Sequence, residues 1–239
     1  MIECEREAIS ARLQLLRFAQ RRDLDQALAA AIAYMLREAI AVRGRASVAF
    51  SGGSTPAPML KCLSEQTLDW KHVNATLVDE RWVELDHEES NEAQLRQSLQ
   101  HNSAGAVNIC GLKTEHAVAA AALATVDSRL DAMAWPLDCV HLGMGSDGHT
   151  ASWFCDAPEY AEAINPANPR RVMATNPASA PHARITLTAS AIGDSRSIVL
   201  HITGEQKLHV LQQAIKGDNH YPISIALNSR APVTVYWAP

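Results

Sequence analysis

The chain has 239 residues, of which 47 % are hydrophobic and 20 % are charged, and its formal net charge is −5. These values are typical of one globular domain, which we expect to span residues 1–239, and the negative charge argues against nucleic acid as the main partner. No apolar run approaches the roughly 18 residues of a transmembrane helix, so no membrane partner is expected.

Five cysteines are scattered along the chain without a C-x-x-C pair, which favours reduced thiols over a disulfide framework. The charged segment Met1–Arg6 is unlike a signal peptide. Both features predict a cytoplasmic protein, and we expect a monomer or a small homo-oligomer. No H-E-x-x-H motif or Cys/His cluster is present, so no metal site is predicted.

The first forty residues are alanine-rich and are predicted to be helical, with Asp23 or Asp25 as the N-cap and Gly44 just beyond the last turn. Later apolar runs predict strands at residues 46–50, 73–78, 107–110, 138–142, 171–175, 197–202 and 233–237. Helices are predicted at residues 56–67, 90–101, 114–134 and 204–216, with Ser90 and Thr114 as N-caps. Residues 158–182, rich in Pro, Asn and Ala, are predicted to be irregular.

Continuous apolar strands that alternate with helices are typical of parallel sheets covered on both faces. The sequence therefore predicts an α/β protein with a Rossmann-like three-layer fold, in which a mostly parallel sheet is flanked by helices.

A glycine-containing segment, Ser51–Pro56, lies between the strand at 46–50 and the next helix. Thr55 suits the N-cap of that helix and Pro56 its first turn. Gly52 and Gly53 expose backbone N–H groups at the positive end of the helix dipole, and this arrangement binds anions, typically phosphate. A tight strand–helix turn with an ordinary cap explains the pattern as well.

Charged side chains follow the strand at 73–78. Arg81 is a candidate to hold a carboxylate or phosphate, and Asp79 to bind a sugar hydroxyl or orient a base, because ligands of open α/β sheets bind beyond the carboxyl ends of strands. Two cations further along the chain, Arg184 and Lys207, are possible phosphate partners. Taken singly, each of these residues is equally well explained as a solvated surface charge.

A second glycine loop, Gly143–Thr150, follows the strand at 138–142 and contains Gly145, Asp147 and His149. An imidazole titrates near neutral pH, so His149 is a candidate general base or acid, and Asp147 is placed to bind substrate or stiffen the loop. The loop also matches the dinucleotide motif G-x-G-x-x-G. That motif needs a helix directly after it and an acidic residue about 20 positions later, and the sequence supplies neither.

Together these segments resemble the 6-phosphogluconolactonase family, which belongs with the glucosamine-6-phosphate deaminases in one sugar-phosphate superfamily. The matching segments are residues 51–56, 79–83, 90–91, 143–152, 181–188 and 204–207, in the family's order. The deaminases have a glutamate five residues after the loop histidine, where this chain has Phe154, and a tyrosine where Arg81 stands. Both differences favour the lactonase branch. Trp153 and Cys155 depart from the common lactonase pattern and affect only the expected local shape of the loop.

The resemblance implies hydrolysis of 6-phospho-D-glucono-1,5-lactone to 6-phosphogluconate in the oxidative pentose phosphate pathway, with no cofactor and no metal ion. It implies that His149 takes a proton from water and later returns it to the leaving ring oxygen. Arg81 would then stabilise the oxyanion or the product carboxylate, and Asp79 or Asp147 would position hydroxyl groups.

The substrate-binding residues are also implied by the resemblance, with the phosphate group held near the first glycine segment. The set comprises Gly52, Gly53, Ser54, Thr55, Arg184 and Lys207, together with Gly145 of the second loop. Two alternative functions remain open at this point. One is a glucosamine-6-phosphate deaminase or isomerase, and the other is a non-catalytic sugar-phosphate sensor, which would normally carry an output domain.

Overall fold

A computed structural model describes residues 2–218 and 220–239 of the chain. The strands are β1 (Glu5–Ala8), β2 (Leu13–Arg17), β3 (Ala46–Phe50), β4 (Val73–Leu77), β5 (Asp79–Arg81), β6 (Asn108–Ile109), β7 (Cys139–Leu142), β8 (Val172–Thr175), β9 (Arg184–Leu187), β10 (Ile198–Thr203) and β11 (Val233–Ala238). The α-helices are α1 (Arg21–Arg43), α2 (Ala57–Ser64), α3 (Asn91–Leu99), α4 (Leu123–Leu130), α5 (Tyr160–Ala163), α6 (Ala189–Gly193), α7 (Glu205–Ile215) and α8 (Ile223–Leu227).

Eight strands form the central sheet in the order β1-β2-β11-β10-β7-β3-β4-β6. All neighbours in this sheet are parallel except β1 and β2, which are antiparallel. Helix α1 packs against β3, β7 and β11, and helix α7 packs against β10. The predicted α/β fold, a mostly parallel sheet flanked by helices, is confirmed. Within the described residues, no helix combines the length and the apolar character needed to cross a bilayer.

A second, three-stranded antiparallel sheet, β5-β9-β8, lies beside the central one. It begins immediately after β4, where Val78 donates its backbone N–H to Phe50 and accepts one from Leu187. In this small sheet Arg81 is paired directly with Arg184. The sequence analysis missed β5 and β9, because strands of three and four residues carry too little periodic pattern to separate from a loop.

The N-terminal prediction was wrong in part, since residues 5–8 and 13–17 form strands and helix α1 begins only at Arg21. Strand β2 pairs in parallel with β11 and buries its leucines in the core, so tertiary pairing overrides the local preference for helix. Neither Asp23 nor Asp25 caps α1, because its N-cap is Gln20. Asp25 is instead a buried residue on the face of α1 that packs on the sheet.

The helix predicted at residues 114–134 is much shorter than expected. Val118 is extended, residues 119–122 form a 3-10 turn, and α4 begins at Leu123. Thr114 therefore caps no helix, and its hydroxyl pairs with His116. Ser90, in contrast, does cap α3, because its side chain accepts the backbone N–H of Ala93. The region 158–182 contains α5 and β8, so it is less irregular than predicted.

Glu80 is a fully buried carboxylate that joins β5 to the N-terminus of α3. It accepts backbone N–H groups from Arg81 and Asn91 at 2.8 Å and from Glu92 at 2.7 Å. Burial raises the pKa of Glu80 to about 7, while these N–H donors oppose the shift. An acceptor at the positive end of α3 satisfies donors that would otherwise be orphaned, so Glu80 fixes the neighbouring charged residues to the helix.

A buried pair of histidines lies between neighbouring strands of the central sheet. His141 Nε2 on β7 is 3.4 Å from His201 Nδ1 on β10, and both side chains are 1 % exposed. His201 Nε2 is 3.6 Å from Asp25 Oδ1 on α1. Burial lowers the pKa of His141 to about 4 and that of His201 as well, and it raises the pKa of Asp25 to about 6.

We expect Glu80→Gln to lower the free energy of unfolding by about 2–4 kcal/mol. The glutamine side chain replaces one carboxylate oxygen by an NH₂ group, which cannot accept the backbone N–H groups that Glu80 accepts. Urea denaturation measures the change. Glu88→Gln is the matched control, since Glu88 is exposed in the same segment and should change stability by less than about 0.5 kcal/mol. Equal stability of the two variants would contradict the role given to Glu80.

The buried histidines should make the protein sensitive to acid. A folded-state pKa below the unfolded value means that the stabilising effect of neutral His141 is present above pH 6.5 and is lost as the pH falls toward 4. Between pH 7 and pH 5, His141→Gln should therefore lose about 2 kcal/mol less stability than the wild type. Denaturant titrations at the two pH values test this, with the exposed His72→Gln as control. Identical pH dependence of wild type and His141→Gln would refute it.

Candidate active site

A cleft of about 670 Å³ opens beyond the carboxyl ends of β3 and β7. In the strand order, β3 is followed along the chain by its neighbour β4, whereas the next central strand after β7 is β10, which lies in the opposite direction. The carboxyl ends of β3 and β7 therefore form a topological switch point, where ligands of open α/β sheets bind. The structure brings all eleven candidate residues to the lining of this cleft: Gly52, Gly53, Ser54, Thr55, Asp79, Arg81, Gly145, Asp147, His149, Arg184 and Lys207.

The two glycine loops are tied together by the side chain of Ser51. Its hydroxyl accepts the backbone N–H of Gly143 at 2.9 Å and donates to the carbonyl of His141 at 3.2 Å. Gly52 is required beside this link, because a Cβ atom there would overlap the side chain of Asn91 on α3. The first glycine segment is therefore held against both β7 and α3.

The first glycine segment differs in detail from its prediction. Helix α2 begins at Ala57 with Pro56 in the N-cap position, so Thr55 is not the cap, and no side chain caps this helix. The backbone N–H of Gly53 donates to Gln94 Oε1 at 3.0 Å instead of facing the cleft unpaired. The backbone N–H of Leu60 donates to the carbonyl of Pro56 at 2.8 Å, so the helix begins after Pro56 and not after Thr55. The hydroxyls of Ser54 and Thr55 remain in the cleft lining.

The second glycine loop holds an aspartate–histidine pair. Asp147 Oδ1 accepts from the backbone N–H of His149 at 3.2 Å and lies 2.6 Å from His149 Nδ1. Burial raises the pKa of Asp147, but the charge of His149 and these hydrogen bonds outweigh that effect and leave the pKa below its usual value. A Cβ atom on Gly145 would overlap both side chains, so the pair depends on that glycine.

Phe154 stacks against the imidazole of His149, with ring centroids 4.2 Å apart and an angle of 26° between the planes. The guanidinium of Arg184 lies 6.0 Å from the centroid of the same phenyl ring. Phe154 therefore lies beside both the candidate base and the arginine that is a candidate to bind phosphate. With Nδ1 held by Asp147 and one face covered by Phe154, the imidazole has a defined orientation in the cleft.

Two arginines from the small sheet face the cleft. Arg184 is 5 % exposed, donates from Nη2 to the carbonyl of Pro181 at 3.1 Å, and forms no ion pair among the described residues. Arg184 Nε is buried and has no hydrogen-bond partner among the described residues. Burial lowers the pKa of the Arg184 guanidinium. Arg81 donates from Nη1 to the carbonyl of Glu89 at 2.6 Å. A buried cation without a carboxylate partner is costly, and an anionic ligand would remove that cost.

Asp79 and Lys207 complete the charged lining. Asp79 is 8 % exposed, and its Oδ2 accepts from Ser152 Oγ at 2.5 Å, which anchors it to the segment that follows the second glycine loop. Lys207 lies in the first turn of α7, as predicted, and is half-buried. Burial lowers its pKa, and the positive charge of Arg21 lowers it further.

The polar residues of the cleft lining that were not predicted as site residues include Asn91, His141 and His201. Asn91 Oδ1, His141 Nδ1 and Arg184 Nε are buried in the cleft lining with no hydrogen-bond partner in the described chain. Unpaired buried polar atoms are rare in folded proteins, and their convergence in one cleft indicates a polar ligand. The only sign of His141 and His201 in the sequence is that β7 and β10, which are otherwise mainly apolar, each contain one histidine.

The described residues that line this cleft include no group of three side chains with the spacing of a metal site. One such group, His87, Glu89 and His182, lies elsewhere. In the cleft, the oriented imidazole of His149 can exchange a proton, and the two arginines and the lysine can bind anionic groups.

Comparison with known proteins gives consistent results. The family described as "Glucosamine-6-phosphate isomerases/6-phosphogluconolactonase" matches residues 19–237. The chain is 41 % identical to a 6-phosphogluconolactonase of Mesorhizobium japonicum over 93 % of this chain and 94 % of that protein. It is also 41 % identical to a 6-phosphogluconolactonase of Rhizobium meliloti, over 90 % and 94 % of the two chains.

Among solved structures, a 6-phosphogluconolactonase from Shewanella baltica superposes with a TM-score of 0.91 at 42 % identity, covering 94 % of this chain and 97 % of that one. Sequence similarity and fold similarity both extend over nearly the whole chain. The chain therefore belongs to the glucosamine-6-phosphate isomerase/6-phosphogluconolactonase family.

Proposed function

We propose that this chain is a 6-phosphogluconolactonase, which hydrolyses 6-phospho-D-glucono-1,5-lactone to 6-phosphogluconate, and that His149 is its general base. The observation that carries the proposal is the Asp147–His149 pair, 2.6 Å apart, in the same cleft as the buried Arg184, whose Nε has no partner among the described residues. A base for water and a cation for phosphate are the two groups that this reaction needs. The relatives reported above, which bear the same enzyme name, support the choice of substrate.

The proposed chemistry begins at His149. Its Nδ1–H donates to Asp147, so Nε2 carries the lone pair and takes a proton from water. The hydroxide attacks the lactone carbonyl carbon, and the electron pair of the C=O bond moves to oxygen. When the oxyanion collapses, the bond from carbon to the ring oxygen breaks and the imidazolium returns the proton to that oxygen. A lactone is an activated ester, and we propose that no metal ion takes part.

Cationic groups supply the remaining stabilisation in this proposal. Arg184 and Lys207, with the hydroxyls of Ser54 and Thr55, bind the phosphate group, and Arg81 stabilises the oxyanion or the product carboxylate. Asp79 is held by Ser152, so we assign it to positioning the glycine loop and a sugar hydroxyl. Gly145 and Gly52 allow the close approaches that Asp147, His149 and Asn91 require.

Phe154 supports the lactonase branch over the deaminase branch. It occupies the position of the deaminase glutamate and stacks on His149, so the imidazole there has an aromatic neighbour instead of a carboxylate. We also infer that residues 1–239 act as one catalytic domain, because one apolar core runs from Leu13 to Ala238. Release of ammonia from glucosamine 6-phosphate would contradict the lactonase assignment.

Replacing His149 by Ala should leave the fold intact and lower lactone turnover by about 10²–10⁴-fold, the usual contribution of general acid–base catalysis. The measurement is a coupled assay that generates the lactone in place, with its spontaneous hydrolysis subtracted. His220→Ala is a matched control, since His220 Nδ1 pairs with Asp218 Oδ1 at 2.8 Å in the same i, i+2 arrangement outside the cleft. Near-normal turnover of His149→Ala would exclude it as the base.

Replacing Arg184 by Gln should raise KM for the phosphorylated lactone by about tenfold or more and change kcat less, because a phosphate contact stabilises ground state and transition state alike. With unphosphorylated glucono-1,5-lactone the same variant should match the wild type. Arg129→Gln, at an exposed arginine outside the cleft, is the control. An equal loss on both lactones would remove Arg184 from the phosphate site.

A further inference from the structure

Three side chains with metal-binding donors converge beside the cleft. His87 and Glu89 lie in the segment between β5 and α3, and His182 lies just before β9. One donor atom from each lies within 4.8 Å of the other two. Glu89 Oε2 and His182 Nε2 are 2.8 Å apart, and the rings of His87 and His182 are in edge contact, with centroids 5.5 Å apart.

We propose that His87, Glu89 and His182 form a binding site for one divalent transition-metal ion of the Zn²⁺ class. Two imidazoles and one carboxylate are a donor set that suits zinc, cobalt or nickel, whereas magnesium and calcium prefer oxygen donors alone. Ligand atoms on a tetrahedral zinc ion are about 3.4 Å apart. The separation of Glu89 from His182 is already near this value, and a rotation of the exposed His87 side chain closes the remaining gap.

The backbone of this cluster holds the donors close together before any ion binds. The backbone N–H of Glu89 donates to His87 Nδ1 at 3.1 Å, which places the His87 ring beside this segment, and the bond is exchanged for the ion when His87 rotates to bind it. His182 has a φ of +70°, a left-handed conformation that is uncommon for residues other than glycine. Such outliers concentrate at functional sites, where the surrounding structure maintains them. The site is also accessible, because both histidines are exposed.

The same two segments hold the arginines of the cleft. The carbonyl of Glu89 accepts from Arg81 Nη1 at 2.6 Å, and the carbonyl of Pro181, next to His182, accepts from Arg184 Nη2 at 3.1 Å. An ion bound by Glu89 and His182 would join the two segments and restrict both carbonyls. We therefore expect the ion to act on substrate binding through Arg81 and Arg184 and to take no part in the reaction, which is a consequence that rests on the proposed function.

Isothermal titration of the full-length, chelator-treated protein with Zn²⁺, in the absence of substrate, tests the site directly. We expect one equivalent to bind, with affinity reduced at least about tenfold in His182→Asn and in Glu89→Gln. His149→Ala and His220→Ala should bind as the wild type does, because neither residue belongs to the cluster. Titration with Co²⁺ should produce the visible absorption of a tetrahedral site and lose it in the same two variants.

Unchanged Zn²⁺ affinity in both cluster variants would overturn the proposal, and so would loss of binding in His149→Ala, which would place the ion in the cleft. Melting temperatures measured without metal separate loss of ligand from loss of fold. Since the titration contains no substrate, its failure would leave the proposed lactonase activity untouched. Given binding, a Zn²⁺-dependent change in KM that disappears in His182→Asn would support the link to the arginines, and an unchanged KM would refute that link.

Discussion

The parallel pairing of β3 with β7 is the constraint on which the candidate active site depends. It places the carboxyl ends of two strands side by side, so two glycine loops that are far apart in the sequence leave the sheet at one edge. Ser51 then couples them through a hydroxyl that accepts from Gly143 and donates to His141. Since the chain departs from these strands in opposite directions, the space between the two loops forms a cleft.

The cleft concentrates polar groups that the fold itself does not satisfy. Asn91 Oδ1, His141 Nδ1 and Arg184 Nε are buried without partners among the described residues, and burial disfavours the charge on Arg184. Such groups lower stability unless a ligand pairs with them, so their presence trades folding free energy for ligand affinity. Glu80 shows the opposite arrangement, because its buried carboxylate has backbone donors on every side and stabilises the frame around the cleft.

Much of the central sheet could be predicted from the sequence, because β3, β4, β7, β10 and β11 are short, predominantly apolar runs rich in β-branched and aromatic residues. The failures have specific causes. Strand β2 depends on pairing with β11, and the alanine-rich segment after Thr114 is interrupted by the extended Val118. Strand β5 consists of three charged residues and β9 of only four residues, and their pairing with each other and with β8 makes them a sheet.

For the candidate site, the glycine loops and their charged residues were predicted from local pattern and from resemblance to a family. The distances and contacts between these residues could be known only from the folded structure. His87 and His182 show no metal-binding motif, because Glu89 and His182 are 93 residues apart and meet only through the small sheet. The buried pair His141 and His201 is likewise formed by neighbouring strands that are distant in sequence.

The sequence by itself determined the class of fold and the two glycine loops, and it supplied the candidates for the base and the cations, because each of these follows from residue type and short-range spacing. The tertiary structure alone decided which nitrogen of His149 faces Asp147, which arginine is buried without an ion-pair partner among the described residues, and which glycines must lack a side chain. The physical reason is the distance along the sequence over which each interaction acts. Strand and turn preferences act over a few residues, whereas burial, charge pairing and close packing depend on neighbours that only the folded chain brings together.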